Sequence, residues 1–206
     1  LAHVQRALAS AEAAEDEYGI VTASYGLGYL RCQQGQPAPA IPDLERALAI
    51  CKERDFSVWL PQITGMLGHA RVLTGRIEEG LALLEEASAV YVRTRGWPFR
   101  TLFAVHRGAA CLGAERPKEA QALAEDALTL AREHGERGHQ AWALWLLGDI
   151  AARRDRRRAE RYYVEARALA AELGMRPLLA RCDDEIPRQR REVGASDRAK
   201  SDTLDA

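Results

Sequence analysis

The chain is 206 residues long, 47% hydrophobic and 29% charged, which is enough for one or two globular domains and too apolar for a disordered chain. Its 29 basic and 30 acidic side chains leave a formal net charge of −1, so no global field draws it to nucleic acid or to an anionic membrane. No apolar run approaches the ~20 residues of a membrane helix, and Cys32, Cys51, Cys111 and Cys182 stand apart without a CxxC pair, so a cytoplasmic protein with reduced, mostly buried thiols is expected.

The first stretch, "LAHVQRALASAEAAEDEYG", is amphipathic and lacks the build of a signal peptide. Its Val4, Ala7 and Leu8 align with Leu44, Ala47 and Leu48 further on, so residues 1–19 read as the second helix of a unit whose first half is missing, and the chain as a piece of a longer polypeptide. Next comes "TASYGLGYLRCQQG", which places three glycines in a helical pattern although each mid-helix glycine costs roughly 1 kcal/mol against alanine. The glycine returns every 40 residues, at Gly28, Gly68, Gly108 and Gly148, each time inside an apolar helical pattern. A second helix follows each one and carries small residues at fixed columns: Ala40, Gly80 and Ala120, then Ala47, Ala87 and Ala127. In the fourth unit the series comes one residue early, as Ala159, Tyr163 and Ala166, which implies a one-residue deletion in the loop before its second helix.

Breaks at Gly35, Pro37, Gly75, Gly113, Pro117 and Asp155 split each unit into two helices, and strands find no support. Four hairpins are therefore expected at about 20–55, 56–96, 97–135 and 136–175. A hairpin cannot bury its apolar face alone, so successive hairpins stack and the small columns let their backbones approach. After "MRPLLARC" the pattern fails, with Pro187 and Arg188 where the next glycine belongs. Residues 176–190 then read as a trailing or capping helix and 191–206 as a disordered tail.

The pattern resembles the tetratricopeptide repeat (TPR), on Leu27-Gly28, Ala40, Leu44 and Ala47, on Leu67-Gly68, Leu84 and Ala87, and on Leu147-Gly148, Ala159, Tyr163 and Ala166. The unit is longer than the family's usual ~34 residues. In that respect it is similar to the repeats that end large bacterial signalling proteins: LuxR-type transcription activators of the MalT class, and class III adenylate or guanylate cyclases with an NTPase domain. "GERGHQAWALWLLGDIAARRD" followed by "AERYYVEARALAAELGMRPLLARC" points to the cyclase-linked group. The resemblance implies an all-α, right-handed solenoid of antiparallel helix pairs.

Catalytic motifs are missing from the sequence. It holds no phosphate loop, no HExxH and no GxSxG. His134 and His139 lie at an inter-repeat turn without the thiols or carboxylates of a metal site. Neither an enzyme activity nor a cofactor or metal is expected. The run "RRDRRRAER" reads as a solvated loop between two helices in preference to a phosphate site.

In such repeats the concave side binds partners through first-helix columns. By resemblance these columns hold Thr22, Tyr25, Tyr29 and Gln33, then Gln62 and His69, then Trp145, Asp149 and Arg153. His69 reads as an exposed polar groove residue. In the third unit Leu102 and Val105 make the groove apolar, read as a hot spot in preference to a surface covered by a neighbouring element. Hydroxyl, amide and aromatic groups on a rigid scaffold suit a peptide or partner domain. Effector domains of the same parent chain are the other expected partners, and a small-molecule sensor domain of a MalT-type regulator is the alternative.

Overall fold

The computed structural model describes the backbone of residues 1–94 and 99–204 and the side chains of residues 1–90 and 99–193. Among the described residues there are ten α-helices, one 3-10 turn at Ala38–Ala40, and no strand. The helices are α1 (Ala2–Ala13), α2 (Glu17–Gln33), α3 (Ile41–Glu53), α4 (Leu60–Leu73), α5 (Ile77–Thr94), α6 (Arg100–Gly113), α7 (Pro117–Glu133), α8 (Arg137–Ala151), α9 (Arg156–Glu172) and α10 (Arg176–Leu204). Gly96 and Trp97, at the expected boundary between the second and third hairpins, lie outside the described residues.

Each helix stops for a local reason. Gly35 and Gly75 sit in the left-handed region, at φ +73° and +87°, and Glu15 and Asp55 hold the same turn position at φ 53° without being glycine. The amide after this residue then folds back over the helix end. Gln36 N donates to Arg31 O at 2.8 Å and Phe56 N donates to Cys51 O at 2.9 Å, which satisfies carbonyls the helix leaves open. At the other ends, the Asp16 and Asp155 carboxylates accept from Gly19 N and Arg158 N, both at 3.0 Å.

The chain forms two compact units, Leu1–Glu115 with α1 to α6 and Arg116–Ala206 with α7 to α10. In the first unit α2 packs on α1, α3 and α4, and α4 packs on α5 and α6. Leu27, Leu44, Ile63, Met66, Leu67 and Leu84 are all 1% exposed or less, and each fully buried side chain of this size contributes roughly 1.5–3 kcal/mol. In the second unit α8 packs on α7 and α9, and α10 packs on α9. Leu144, Tyr163, Leu178 and Cys182 form its centre.

The repeating glycines sit at helix contacts of three kinds. A Cβ on Gly28 meets the Leu44 side chain at 3.0 Å, one on Gly68 meets the backbone carbonyl of Gly80 at 2.8 Å, and one on Gly148 meets the Tyr163 ring at 2.4 Å. Gly108 is buried in α6. Ala47, Ala87, Ala127 and Ala166, the small residues of the second helices, are all 0% exposed.

The boundaries differ from the sequence reading in three places. α1 already ends at Ala13 and α2 begins at Glu17, not near residue 20. The early register of the fourth unit arises within α8, which stops three residues after Gly148 where α4 runs five past Gly68; the turn that follows, 152–155, is one residue longer than the turn at 74–76. The trailing helix runs past 190: α10 carries Pro187 inside it and its backbone is helical to Leu204. Proline removes one helical hydrogen bond. Burial of Leu178, Cys182, Ile186 and Gln189 on one stripe offsets that loss. The pairs Arg167–Asp183, Arg190–Glu160 and Arg156–Glu192 join α10 to α9 along the same length.

The kinds of glycine contact predict different costs. Gly68→Ala puts a methyl against a backbone carbonyl that cannot turn aside, and should lower stability by about 1–3 kcal/mol. Gly28→Ala meets only the end of a leucine, and its gain in helix propensity of roughly 1 kcal/mol should leave it near neutral. Thermal midpoints of the two variants decide it; equal losses would mean that the Gly68–Gly80 contact is not a close one.

Candidate functional site

The first helices of the first unit, α2, α4 and α6, lie side by side, and aromatic residues run along them. Tyr18 stands edge-on to Phe56 at 5.6 Å and to Trp59 at 6.2 Å. Tyr25 packs on Trp59 at 5.8 Å and edge-on to Phe99 at 6.0 Å, and Phe99 stacks on Phe103 at 6.2 Å. Such ring pairs add about 0.5–1.5 kcal/mol each beyond their area. Gly65 makes this run possible: a Cβ there meets the Phe103 ring at 2.4 Å, so the column that holds Tyr25 in α2 is left empty in α4 for a ring from α6.

Polar groups lie along the same helices. Gln62 is 6% exposed, and its Oε1, like the Nε1 of Trp59 one turn earlier, is buried without a hydrogen-bond partner among the described residues. Leaving such an enclosed donor or acceptor without a partner costs about 1–3 kcal/mol each. His69 stacks flat on His106, with ring centroids 3.6 Å apart and planes 4° from parallel. His69 is half-buried, between the exposed groove residue expected from its column and a core position.

The other columns land as follows. Thr22 turns its hydroxyl back to donate to Gly19 O at 3.0 Å. Tyr29 and Gln33 are half-buried and hydrogen-bonded to each other, and burial pushes the Tyr29 phenol up against that bond. Leu102 and Val105 are 4% and 6% exposed. That corrects the reading of an apolar hot spot at the groove's centre: both side chains are covered and neither offers an anchor.

In the second unit Trp145, Asp149 and Tyr163 form a cluster of their own. Trp145 packs on Tyr163 at 4.9 Å, and the Tyr163 hydroxyl donates to Asp149 Oδ1 at 2.7 Å. Burial raises the Asp149 carboxyl to about 6, helped by the nearby Glu185 and opposed by the Tyr163 and Trp145 hydrogen bonds and by Arg181. Desolvation and the facing carboxylate raise the Tyr163 phenol as well. Arg153 lies exposed in the turn after α8. The arginine run is not a single loop, because Arg156, Arg157, Arg158 and Arg161 belong to the first turns of α9, where Arg156 pairs with Glu192 and Arg158 lies over Tyr162. All four cysteines are buried and none is in a disulfide. No group of three or more candidate metal ligands occurs among the described residues.

Sequence columns missed Tyr18, Phe56, Phe99, Phe103 and His106. The available signal was Gly65: a glycine at a column that carries Tyr25 and Trp145 elsewhere marks space taken by another residue's ring.

No family model matches the chain, and no curated protein matches it. Its fold is similar to that of a Rap protein complexed with competence and sporulation factor, with a TM-score of 0.78 at 15% identity over 89% of this chain and 52% of that one. It is also similar to a Podosopora anserina putative kinesin light chain with TPR-like repeats, at TM-score 0.61 and 19% identity over 88% and 90% of the two chains. A third is aspartyl phosphate phosphatase F from Bacillus subtilis, at TM-score 0.65 and 13% identity over 90% of this chain and 49% of that one. The chain thus has a TPR-like helical-repeat fold, and it spans about half the length of the Rap structure. Among the described residues no helix is long and apolar enough to cross a membrane.

The Asp149 environment gives a pH signature. A carboxyl raised from 3.8 to about 6 favours the protonated folded state, so its stabilisation is complete below about pH 4 and is lost as the pH rises through 6. Asp149→Asn keeps an acceptor for Tyr163 and removes the charge. It should be about 1–2 kcal/mol more stable than the parent at pH 7.5 and indistinguishable from it near pH 4. A difference that does not change with pH, read from thermal midpoints, would contradict this.

Proposed function

We propose that the chain is a non-catalytic helical-repeat scaffold that holds a peptide or a partner domain against its first-helix face. In this reading it serves within a larger bacterial signalling protein of the cyclase or transcription-regulator type. The observation that carries it is the aromatic run of the first unit, in which Tyr18 is exposed and Tyr25 and Trp59 are half-buried. Rings supply apolar anchors of low entropy cost. The Rap protein complexed with competence and sporulation factor offers a precedent for ligand binding on a similar fold. Trp145 plays the corresponding anchor role in the second unit.

The test is a peptide library panned on the purified chain, followed by calorimetric titration of the enriched peptide against variants at two salt concentrations. Tyr25→Ala should weaken binding of a peptide held by the first unit, and Trp145→Ala that of one held by the second, by ~2 kcal/mol each, while Arg157→Ala should change binding much less and in a salt-dependent way. All three should keep their helical content. If Arg157 is the costly position and the aromatic residues are silent, the binding surface is the basic edge. Enrichment of no peptide, together with binding of a small metabolite, would favour the sensor reading.

A further inference from the structure

The turns that lead into α2 and α4 meet at one edge of the first unit. Arg54 pairs with Glu17 across them at 2.6 Å, and Tyr18 packs on Phe56 and Trp59, which flank Val58 in the second turn. Tyr18 and Val58 occupy the same column of the repeat and are the two most exposed large apolar side chains among the described residues. Val58 is 72% exposed although the turn of the preceding unit stands beside it, so the exposure belongs to the column and does not depend on what precedes α1. Two such side chains in adjacent units, backed by Phe56 and Trp59, make an apolar strip of the kind that marks an interaction surface.

The strip is set among carboxylates. Residues 12–17 and 52–55 hold Glu12, Glu15, Asp16, Glu17, Glu53 and Asp55 against only Lys52 and Arg54. Arg46 pairs with Glu12 and Arg54 with Glu17, while Glu15, Glu53 and Asp55 are exposed and in no ion pair among the described residues. Glu15 and Asp55 also share a column, and both hold the left-handed conformation, which favours glycine, at φ 53°. The amide after each folds back to Ala11 O or Cys51 O at 2.9 Å. In the second unit the same turn is closed by the same bond, from Glu136 N to Ala131 O and from Met175 N to Ala170 O, and there Gly135 and Gly174 hold the position. The turn itself does not need the carboxylate.

We infer that this edge docks a segment of a partner chain in which bulky apolar side chains are flanked by lysine or arginine. The apolar side chains cover Tyr18 and Val58, and the cations reach Glu15, Glu53 and Asp55 around them. Charges at such a rim act mainly on the encounter and on the choice of partner, and the apolar contact on the lifetime of the complex. The inference rests on the reading of the first unit's aromatic run as a binding surface and adds the chemistry of what is bound.

The probe is a fluorescent peptide with two leucines between pairs of lysines, followed by anisotropy on the whole chain at low and moderate salt. It should bind, more weakly as salt rises, and control peptides with serine for leucine or glutamate for lysine should bind about tenfold more weakly or not at all. Glu15→Gly with Asp55→Gly removes two carboxylates and gives the turn the residue it has in the second unit. The thermal midpoint should be kept or raised, while binding at low salt falls about fivefold or more and loses part of its salt dependence. Val58→Ser, at an exposed position, should weaken binding with the fold intact. Three results overturn the inference: no binding of the lysine–leucine peptide, equal binding of the serine control, or binding insensitive to the glycine pair. Affinity lost with Tyr25→Ala but untouched by the glycine pair and by Val58→Ser would keep the aromatic run as a binding surface and overturn this inference alone. Concentration-dependent dimerisation abolished by Val58→Ser would also overturn it, because the occupant would then be a second copy.

Discussion

Close approach of the two helices within a hairpin is the constraint from which the rest of the molecule follows. Gly28 receives the side chain of Leu44, Gly68 faces the backbone of Gly80, and Gly148 lies under the ring of Tyr163. These are three answers to one problem, since an isolated hairpin leaves an apolar face in water and only a tightly packed pair presents a surface flat enough for the next pair. Where the partner residue changes, the chemistry changes with it. The Tyr163 ring that fills the space over Gly148 also carries a hydroxyl to Asp149, so the polar cluster of the second unit is a product of its packing.

Tight hairpins bring the first helices of successive units against one another, and that position decides which side chains remain available. α4 is buried nearly all round, from Pro61 to Met66 and on to Ala70, and α6 is buried from Thr101 to His106. Little of either helix can serve as a surface. Accessible apolar area is pushed to the helix starts and the turns before them, where Tyr18 is 55% exposed and Val58 72%. Ion pairs between helices, such as Arg46–Glu12, Arg54–Glu17 and Arg71–Glu45, decorate the outside. Exposed pairs of this kind contribute about 0–1 kcal/mol each, so they favour the register of the stack more than its stability.

The fold was legible in the sequence because stacking imposes a period, and a period survives in one chain without any alignment. The glycines at 28, 68, 108 and 148, and the alanines that follow them, are sufficient to read paired helices. Helix ends were less legible where the turn residue was not glycine. Glu15 and Asp55 adopt left-handed φ values that no propensity announces. The trailing helix was expected at 176–190 but not its continuation, because Pro187 argues against a helix locally, whereas the buried stripe from Leu178 to Gln189 favours one only once α9 is there to cover it. At the candidate site, columns located Tyr25 and Trp145 but treated each first helix alone. The rings that fill the site, Phe99 and Phe103, come from the neighbouring helix and leave only a glycine as their trace. The burial of Leu102 and Val105 was not foreseen for the same reason, since a column position gives the direction of a side chain and not what lies in front of it.

Nearest-neighbour stacking makes one claim that can be read residue by residue. In a stack of helices each element is held by the neighbours on its two sides, so protection from exchange should rise with the number of packed faces. Amide hydrogen exchange of the intact chain, followed by mass spectrometry or NMR, measures this directly for residues 1–94. α4, packed on α2, α3, α5 and α6, should exchange slowest in the first unit, and α1, which packs on α2, fastest, with α2 between them. Equal protection of α1 and α4, or protection of α1 above α2, would contradict the stack.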